Sequence, residues 1–391
     1  MLNFKYYSPT EFVFGKDTEQ EVGKLLKKCK AKKVLLHYGS GSVKRSGLLD
    51  RVIKSIEAEK IEHVELGGVV PNPRDTLVYE GIELCKTEGV NFILAVGGGS
   101  VIDSAKAIAM GVKYKGDFWD LFDDPNKIKG ALSVAAVLTI PAAGSEGSNA
   151  SVITKTEGML KRVTHSNSII PAFAIINPEL TYTLPSYQTA AGVVDMISHI
   201  LERYLTKTND VILTDRLCEA TLVSIIEAMR IIQKEPTNYE ARATICWSGT
   251  IAHNGSLGVG RVEDWASHRL EHELSAMYDV THGAGLAVIF PAYMRYTLEE
   301  DVQRYRRLAV KVFGIKDKKN KAKKVALAGI GAMESFFKEL GMPVTFEEIG
   351  AKREDIDKLL EKLKINVGEI VGNFKSLTME DCKNVYELAC K

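Results

Sequence analysis

The sequence predicts two domains: an α/β domain in the first half of the chain and an all-α domain in the second. Two observations support this division. Apolar runs of strand length alternate with amphipathic segments up to about residue 182, whereas a 3.6-residue periodicity dominates afterwards. The length of 391 residues also fits about two domains. We therefore expect one domain at residues 1–182 and another at residues 183–391.

Five segments in the first half have the length and composition of buried strands, and most of them stop at glycine or proline. They lack the polar–apolar alternation of a half-exposed strand, which is typical of a parallel sheet covered by helices on both faces. The predicted strands are residues 32–38, 61–69, 91–96, 132–141 and 172–178, and the clearest helices between them are 48–60 and 76–88.

The second half has long amphipathic segments and almost no strand signal. Apolar residues recur there every three or four positions, which predicts helices that bury one face. The predicted helices are residues 189–205, 214–234, 239–254, 264–278 and 321–340.

The composition argues against several classes of protein. Lysine and arginine (51) balance aspartate and glutamate (50), which is not typical of a nucleic-acid or membrane-surface protein. No apolar run approaches the roughly 18 residues of a membrane span. The six cysteines form no Cys-x-x-Cys pair, which favours reduced thiols. The start lacks the pattern of a signal peptide, so we expect a cytoplasmic protein.

A glycine-rich turn follows the third predicted strand. Gly97, Gly98, Gly99 and Ser100 lie where this strand passes into a helix. Glycines let backbone N–H groups approach a phosphate, and the N-terminus of a helix adds partial positive charge. The pattern is neither a P-loop nor G-x-G-x-x-G. It predicts an anion site, with a purely structural turn as the alternative.

A second polar turn follows the first predicted strand. Gly39, Ser40 and Ser42 precede Lys44 and Arg45. In a parallel sheet this turn lies at the carboxyl ends of the strands, where nucleotides bind. It has no carboxylate to accept hydrogen bonds from the ribose of NAD, so it would tolerate the 2′-phosphate of NADP. An ordinary surface turn is the alternative.

The helical half contains five of the eight histidines. Asp195 and His199 are four residues apart, as are His268 and His272, and His282 follows in a His-Gly turn. Residues i and i+4 share a helix face. One carboxylate and three imidazoles suit Fe²⁺ or Zn²⁺ with a position open for substrate, although helix histidines are also common as structural residues. The spacing is not His-Glu-x-x-His, so a zinc peptidase is unsupported.

The chain resembles the iron-containing alcohol dehydrogenases, and within them the branch of butanol dehydrogenases and broad aldehyde reductases. The similarity runs nearly end to end and keeps the order of the family's motifs. These motifs are PTEFVFGK at 9–16, PNPR at 71–74, AVGGGSVID at 95–103, LTIPAAGSE at 138–146, NPELTYTLP at 177–185, GVVDMISH at 192–199, DWASHRLEHELSA at 264–276 and THGAGLAV at 281–288.

The resemblance implies a dinucleotide-binding α/β domain and an all-α metal-binding domain, the fold shared with glycerol dehydrogenase and dehydroquinate synthase. The implied metal ligands are Asp195, His199, His268 and His282. The implied catalytic residue is His272, which would lie by the nicotinamide and help to move protons. The full set of predicted cofactor-binding residues is Gly39, Ser40, Ser42, Asn72, Gly97, Gly98, Gly99, Ser100, Asp103, Thr139, Ser145, Lys161 and Leu180.

Two positions depart from the pattern of many members. Ala142 and Ala143 stand where many relatives have Ala-Thr, which removes one possible hydroxyl contact to the cofactor. Gly39 stands where NAD-specific relatives carry aspartate, which favours NADP(H) over NAD(H). Members of the branch described as NADH-dependent share this turn, so the choice between the two cofactors stays open.

We therefore expect a metal-dependent NAD(P)H alcohol dehydrogenase that interconverts short- to medium-chain primary alcohols, such as butanol, and aldehydes by hydride transfer. The expected metal is Fe²⁺, with Zn²⁺ as the alternative, and the expected assembly is a homodimer with no nucleic-acid or membrane partner. A glycerol or polyol dehydrogenase of the same fold is the first alternative, which the presence of both His268 and His282 disfavours. A metal-dependent phosphoester hydrolase is a more distant alternative.

Overall fold

The chain packs as two compact units, each described here by itself. The computed structural model describes residues 1–391, the side chain of Lys319 excepted. The first unit, called the sheet unit, consists of Tyr7–Leu184 and Pro236–Thr250. The second, called the helical unit, consists of Met1–Tyr6, Pro185–Glu235 and Ile251–Lys391.

The sheet unit contains eight strands and, before residue 185, six helices. The strands are β1 (Glu11–Phe14), β2 (Lys33–Gly39), β3 (Glu62–Val69), β4 (Phe92–Gly97), β5 (Ser133–Leu138), β6 (Ala150–Lys155), β7 (Leu160–His165) and β8 (Phe173–Ile176). The helices are α1 (Val22–Lys28), α2 (Ser42–Arg45), α3 (Leu48–Ala58), α4 (Asp75–Glu88), α5 (Gly99–Lys113) and α6 (Asp120–Asp123). Six strands form one parallel sheet in the order β1-β8-β5-β4-β2-β3, and β6 and β7 form an antiparallel pair.

The parallel sheet is buried on both faces. Strand β4 is buried along its whole length, because successive side chains point to opposite faces and each face carries a core. Ile93 packs in the core that includes residues of α4 and α5, whereas Leu94 packs in the core that includes residues of α1 and α3. Full burial of such a side chain contributes roughly 1.5–3 kcal/mol, so the apolar side chains of β4 help to hold the sheet between its two layers of helices.

The strand order reverses beside β2. From β2 the chain moves to β3 at one edge, and then returns to place β4, β5 and β8 on the other side of β2. In open parallel sheets, ligands bind at the carboxyl ends of the strands at such a reversal. The turns that begin at Gly39 and Gly97 flank this point.

The helical unit consists of long helices. They are α7 (Ser186–Tyr204), α8 (Ile212–Lys234), α9 (Tyr239–His253), α10 (Ala266–Tyr278), α11 (His282–Tyr296), α12 (Val302–Lys311), α13 (Ala322–Glu339), α14 (Ile356–Val367) and α15 (Met379–Ala389), of which α9 lies largely in the sheet unit. Helix α7 is buried from Thr189 to Tyr204. None of the helices in the described part of the chain has both the length and the apolar character that a bilayer crossing needs.

The fold class predicted from the sequence is confirmed. The predicted strands correspond to β2, β3, β4, β5 and β8, and the predicted helices correspond to α3, α4, α7 to α10 and α13. The sequence analysis missed β1, β6 and β7. Strand β1 has four residues at the sheet edge, two of them exposed, so its apolar signal is short. The domain division at residue 182 stays a prediction, since the two packing units exchange short segments.

Candidate functional site

One face of α7 carries buried acidic and imidazole side chains. Asp195, His199 and Glu202 lie at positions i, i+4 and i+7, and all three are buried. This spacing places them along one side of the helix. Burying such groups is costly unless they are paired or bind a metal, so their neighbours on other helices decide what they do.

Two further imidazoles reach Asp195 from α10 and α11. The Nε2 of His268 lies 4.0 Å from Oδ1 of Asp195, and the Nε2 of His282 lies 3.7 Å from the same oxygen. One ligand atom from each of these three residues lies within 4.8 Å of the others. The Nδ1 of His199 is 3.5 Å from the same carboxylate oxygen. The structure thus brings the four predicted metal ligands together around Asp195.

Two buried carboxylates hold the far side of these imidazoles. Glu202 Oε1 accepts a hydrogen bond from Nδ1 of His268 at 2.7 Å, and Glu271 Oε2 does the same for Nδ1 of His282. A carboxylate at Nδ1 keeps the proton on that nitrogen and leaves the lone pair on Nε2. In both residues, Nε2 is the nitrogen that approaches Asp195.

Two glycines let the three helices approach one another. A Cβ on Gly283 would lie 1.9 Å from the backbone oxygen of Ala191, so α11 contacts α7 there without room for a side chain. A Cβ on Gly285 would lie 2.5 Å from Oε1 of Glu271. Both clashes are too close for any larger residue. The His-Gly-Ala-Gly sequence therefore places His282 beside Asp195 and leaves space for its carboxylate partner.

His199 lies in a different environment from the other two imidazoles. Within the described residues, its buried Nδ1 has no hydrogen-bond partner. Its ring stacks between those of His253 and His268, with centroid distances of 4.2 and 4.7 Å. Burial, followed by the neighbouring histidines, holds the pKa of His199 well below its ordinary value. A neutral, buried nitrogen that faces a carboxylate fits the donor set of Fe²⁺ or Zn²⁺.

His272 lies one turn beyond His268 on α10 and is buried. Its ring centroid is 5.6 Å from that of His282. His272 also forms a second potential metal-binding group with Glu271 and His282. The structure therefore places His272, the predicted catalytic residue, next to the predicted ligand His282 and close to Glu271.

The glycine turn in the sheet unit joins β4 to α5. Gly98 is the N-cap of α5, and Gly99 and Ser100 form its first turn. The first N–H groups of a helix have no intrahelical acceptor, and this turn holds no acidic residue, so it favours an anion. The backbone N–H of Thr139 donates to the oxygen of Gly97 at 3.1 Å. The chain after β5 is thereby placed beside the turn.

A second group of predicted cofactor residues, Asp103 and Ser145, lies next to the buried side chain of Lys106. Asp103 accepts hydrogen bonds from the Oγ of Ser145 and from the N–H of Val152. Lys106 donates to the backbone oxygens of Ser145, Ser148 and Ala150 at 2.7, 2.9 and 2.9 Å. Burial lowers the pKa of Lys106 to about 8, and the nearby Asp103 partly offsets this effect. The lysine ties the 145–150 segment to α5.

The remaining predicted cofactor residues lie in turns at several strand ends and on β7. Asn72, in the turn after β3, adopts the left-handed conformation with φ of 51° and accepts a hydrogen bond from Lys161 of β7 at 3.0 Å. Gly39 is the last residue of β2, Ser40 and Ser42 follow it, and Leu180 lies in the turn after β8.

The sequence analysis missed three charged residues that organise these sites. Glu202 and Glu271 each lie three residues after a predicted ligand, so they share its helix face, and this spacing was an available signal. Lys106 gave no comparable signal, because its acceptors are at least 39 residues away in the chain.

Comparison with known families gives a match over nearly the whole chain. The model described as "Iron-containing alcohol dehydrogenase" matches residues 9–178. The model described as "Fe-containing alcohol dehydrogenase family, C-terminal" matches residues 189–390. Together the two models cover both units.

Individual proteins match at similar length. The probable NADH-dependent butanol dehydrogenase 1 of Bacillus subtilis is 42% identical, with 98% of this chain and 99% of that protein covered. The NADPH-dependent aldehyde reductase YqhD of Escherichia coli is 36% identical over 100% of both chains. The crystal structure of NADH-dependent butanol dehydrogenase A from Thermotoga maritima has a TM-score of 0.97 and 40% identity, with 100% of this chain and 99% of that chain covered.

Proposed function

This chain belongs to the iron-containing alcohol dehydrogenase family, and we propose that it interconverts short- to medium-chain primary alcohols, such as butanol, and their aldehydes. It is an NAD(P)-dependent oxidoreductase of that family. The observation that carries the proposal is the group of three imidazoles around the buried Asp195 carboxylate, two of which are held by further carboxylates. The overall reaction adds a hydride from the cofactor and a proton to an aldehyde, or removes both from an alcohol.

We infer that Asp195, His199, His268 and His282 hold the metal, Fe²⁺ being favoured and Zn²⁺ the alternative. One carboxylate and three imidazoles suit either ion. When bound, the ion supplies a Lewis acid that polarises the oxygen of the alcohol or aldehyde. The chain contributes fixed ligands, because carboxylates behind His268 and His282 keep their protons on Nδ1.

We infer that the turn at Gly97–Ser100 binds the cofactor diphosphate. The N–H groups at the start of α5, which have no intrahelical acceptor, and the absence of acid in its first turn support this assignment. Asn72, Asp103, Thr139, Ser145, Lys161 and Leu180 complete the proposed cofactor site.

We infer a preference for NADP(H) over NAD(H). The turn at Gly39, Ser40 and Ser42 carries no carboxylate that would repel a 2′-phosphate. Relatives use both cofactors, since the butanol dehydrogenases above are named as NADH-dependent and the aldehyde reductase as NADPH-dependent.

We infer that His272 moves the proton that accompanies hydride transfer. An imidazole can take up a proton at one nitrogen and release one from the other. His272 lies one turn past His268 and beside His282, and is itself buried. From this position His272 could exchange a proton with the oxygen of a substrate near the proposed metal ligands, without itself binding the metal.

We also propose a cytoplasmic homodimer. All six cysteines are free, and most are buried, which suits a reducing compartment. Light scattering on a size-exclusion column tests the dimer, which a mass equal to one chain would contradict.

The central experiment measures NADPH oxidation with butanal. Protein purified without oxygen and loaded with Fe²⁺ should reduce the aldehyde, and Asp195→Asn should lose bound metal and turnover together. Asp357→Asn is the matched control, because Asp357 is an exposed carboxylate of the helical unit that pairs with the surface residue Lys383. An Asp195→Asn protein with full metal content and activity would contradict the ligand assignment.

The same experiment separates the alternative activities. A polyol dehydrogenase would oxidise glycerol faster than butanol. A phosphoester hydrolase would release nitrophenol from nitrophenyl phosphate without any nicotinamide. Either result, together with no aldehyde reduction under either cofactor, would overturn the proposed function.

A further inference from the structure

The three proposed imidazole ligands are oriented in two different ways. His268 and His282 each donate from Nδ1 to a buried carboxylate. In His199 the nitrogen that faces Asp195 is instead Nδ1, which lies 3.5 Å from Oδ1 and makes no hydrogen bond within the described residues. The ring of His199 is therefore not held through Nδ1 by a carboxylate as the other two rings are. Another constraint must limit rotation about χ2 if the ring is to be oriented before metal binds, because that freedom would otherwise be lost on binding.

Stacking supplies that constraint. The rings of His253 and His199 are 4.2 Å apart and inclined by 27°, and those of His199 and His268 are 4.7 Å apart and inclined by 23°. His199 is thus the middle ring of a stack of three. His253 is the last residue of α9.

The indole of Trp265 lies along one side of this stack. The ring of Trp265 lies 5.8, 5.6 and 5.1 Å from those of His199, His253 and His268, respectively. These separations lie within the range in which aromatic rings attract one another. Trp265 therefore contacts every ring of the stack, and it restricts rotation of the middle ring.

Trp265 is held in an unusual backbone conformation. Its φ is 71°, in the left-handed region that a bulky residue adopts only when its surroundings impose it. Its backbone N–H donates to Oε2 of Glu202 at 2.7 Å, and its indole N–H donates to Oε2 of Glu263 at 2.7 Å. The ring position is therefore determined from two sides.

Arg203 connects the indole to α7. Its guanidinium carbon lies 4.9 Å from the centroid of the Trp265 ring, and its Nη1 donates to the backbone oxygen of His199 at 2.7 Å. Its Nε is 3.2 Å from Oε1 of Glu263. Trp265 therefore contacts the ring of His199 directly and is linked to the backbone of His199 through Arg203.

We propose that His253 and Trp265 are positioning residues that fix the ring plane of His199 by stacking and so raise its affinity for the metal. This inference rests on the metal site of the proposed function. The contribution of His253 is the flat ring, whereas its nitrogens are not needed for this role. Groups that orient a metal-binding histidine typically change metal affinity by about 10–100-fold, which is the effect expected here.

The test compares His253→Ala with His253→Phe. Dissociation constants for Co²⁺ are measured by competition with a chelator, and the visible d–d bands of the Co²⁺ form report the ligand geometry. We expect His253→Ala to bind Co²⁺ about 10–100-fold more weakly and to shift the bands. His253→Phe should restore both properties to near those of the unmodified protein, because phenylalanine keeps the stacked ring.

Controls separate this role from a general loss of structure. His63→Ala removes a histidine of β3 and should leave Co²⁺ binding unchanged. Urea midpoints of the metal-free proteins show whether each variant is folded. If His253→Ala does not fold, Trp265→Phe serves instead, and it should weaken Co²⁺ binding by less than Trp265→Ala.

Two results would overturn the inference: Co²⁺ binding by His253→Ala equal to that of the unmodified protein, or equally weak binding by His253→Phe and His253→Ala. In the second case the nitrogens of His253 matter, rather than its ring. If His253→Ala does not fold, equal binding by the two Trp265 variants overturns it instead. Failure of the proposed function is distinguishable, because the unmodified protein itself would then bind no Co²⁺ at the four ligands.

Discussion

Glu202 accepts two hydrogen bonds from His268, one from Nδ1 at 2.7 Å and one from the backbone N–H at 3.0 Å, both at Oε1. Its other oxygen accepts the N–H of Trp265 at 2.7 Å. A single carboxylate on α7 therefore caps the first turn of α10 and sets the tautomer of an imidazole on that turn. These two helices carry four of the five residues proposed for metal binding and proton movement.

The first prediction follows from this double role. Glu202→Gln should weaken metal binding by about 10–100-fold, because the amide lacks the charge that increases the basicity of His268. The loss of one cap should also lower the free energy of unfolding by about 1 kcal/mol, since an amide N–H would face the N–H of Trp265. Chelator competition and urea unfolding measure the two effects. Glu227→Gln, on exposed α8 surface, is the control, and equal metal affinity in both variants would refute the role of Glu202.

The second prediction concerns cofactor choice at Gly39. A Cβ there would lie 3.5 Å from the oxygen of Val69 and 4.0 Å from Cγ2 of Val101, which are ordinary contacts, so a side chain fits. Gly39→Asp should lower kcat/KM for NADPH by about tenfold or more relative to NADH, because a carboxylate repels the 2′-phosphate and accepts hydrogen bonds from ribose.

Gly39→Asn separates charge from size in this experiment, because asparagine has nearly the same shape as aspartate and no charge. Steady-state kinetics with both cofactors give the two ratios. An unchanged or stronger preference for NADPH in Gly39→Asp, or an identical shift in Gly39→Asn, would show that charge at this position does not decide the cofactor.

The third prediction concerns Lys106. Lys106→Met leaves the backbone oxygens of Ser145, Ser148 and Ala150 without this donor, and should lower the free energy of unfolding by about 3 kcal/mol. The affinity for NADPH should fall about tenfold, since the segment with Ser145 loses its attachment to α5. Lys113→Met, at the exposed end of the same helix, should change neither quantity. A stable Lys106→Met protein with unaltered NADPH affinity would contradict the prediction.

The sequence predicted those parts whose cause is local. Strand β4 is apolar at every position because both of its faces are buried, and the i,i+4 pairs place His199 and His268 beside their helix partners. The close contact of α11 with α7 at Gly283 is a tertiary relationship, and the spacing of residues along the chain does not contain it. For the same reason, the capping of α10 by Glu202 and the stacking of His253 on His199 emerge only from the folded structure.

The fourth prediction concerns pH and the buried histidine of β2. The ring nitrogens of His37 hydrogen-bond with the oxygen of Leu66 and the Oγ of Ser104, both at 2.8 Å. Burial lowers the pKa of His37 from 6.5 to about 4. Between these values the unfolded chain takes up a proton that the native protein does not, so stability falls as the pH drops from 6.5 towards 4, by about 3 kcal/mol in total.

Urea unfolding at several pH values across this window checks the effect. His37→Gln removes the titrating ring, so its stability should decline less steeply below pH 6.5 than that of the unmodified protein. His63→Gln, on the neighbouring strand β3 and only half-buried, should keep the original slope. Parallel slopes for His37→Gln and the unmodified protein would contradict the assignment to His37.

The fifth prediction concerns His272. It lies on α10 one turn past His268, with its ring 5.6 Å from that of His282. This position suits a group that exchanges a proton with the substrate oxygen while the four proposed ligands hold the metal. General acid–base assistance of this kind typically contributes about 10²–10⁴-fold in rate. A metal held by the four proposed ligands would itself polarise the oxygen, so we expect the lower end. His272→Ala should retain stoichiometric metal, fold normally and lose about 10²-fold in kcat.

The contrast with His282→Ala makes this prediction specific, because that variant should lose metal and turnover together. His272, Glu271 and His282 also form a second potential metal-binding group, so loss of metal from His272→Ala would make His272 a ligand and remove one of the four proposed here. His272→Gln keeps a hydrogen-bonding group but cannot relay a proton, so it should be as slow as His272→Ala. Full activity in His272→Gln, with metal retained, would show that His272 only packs or positions the substrate, because an amide cannot replace an imidazole in proton transfer.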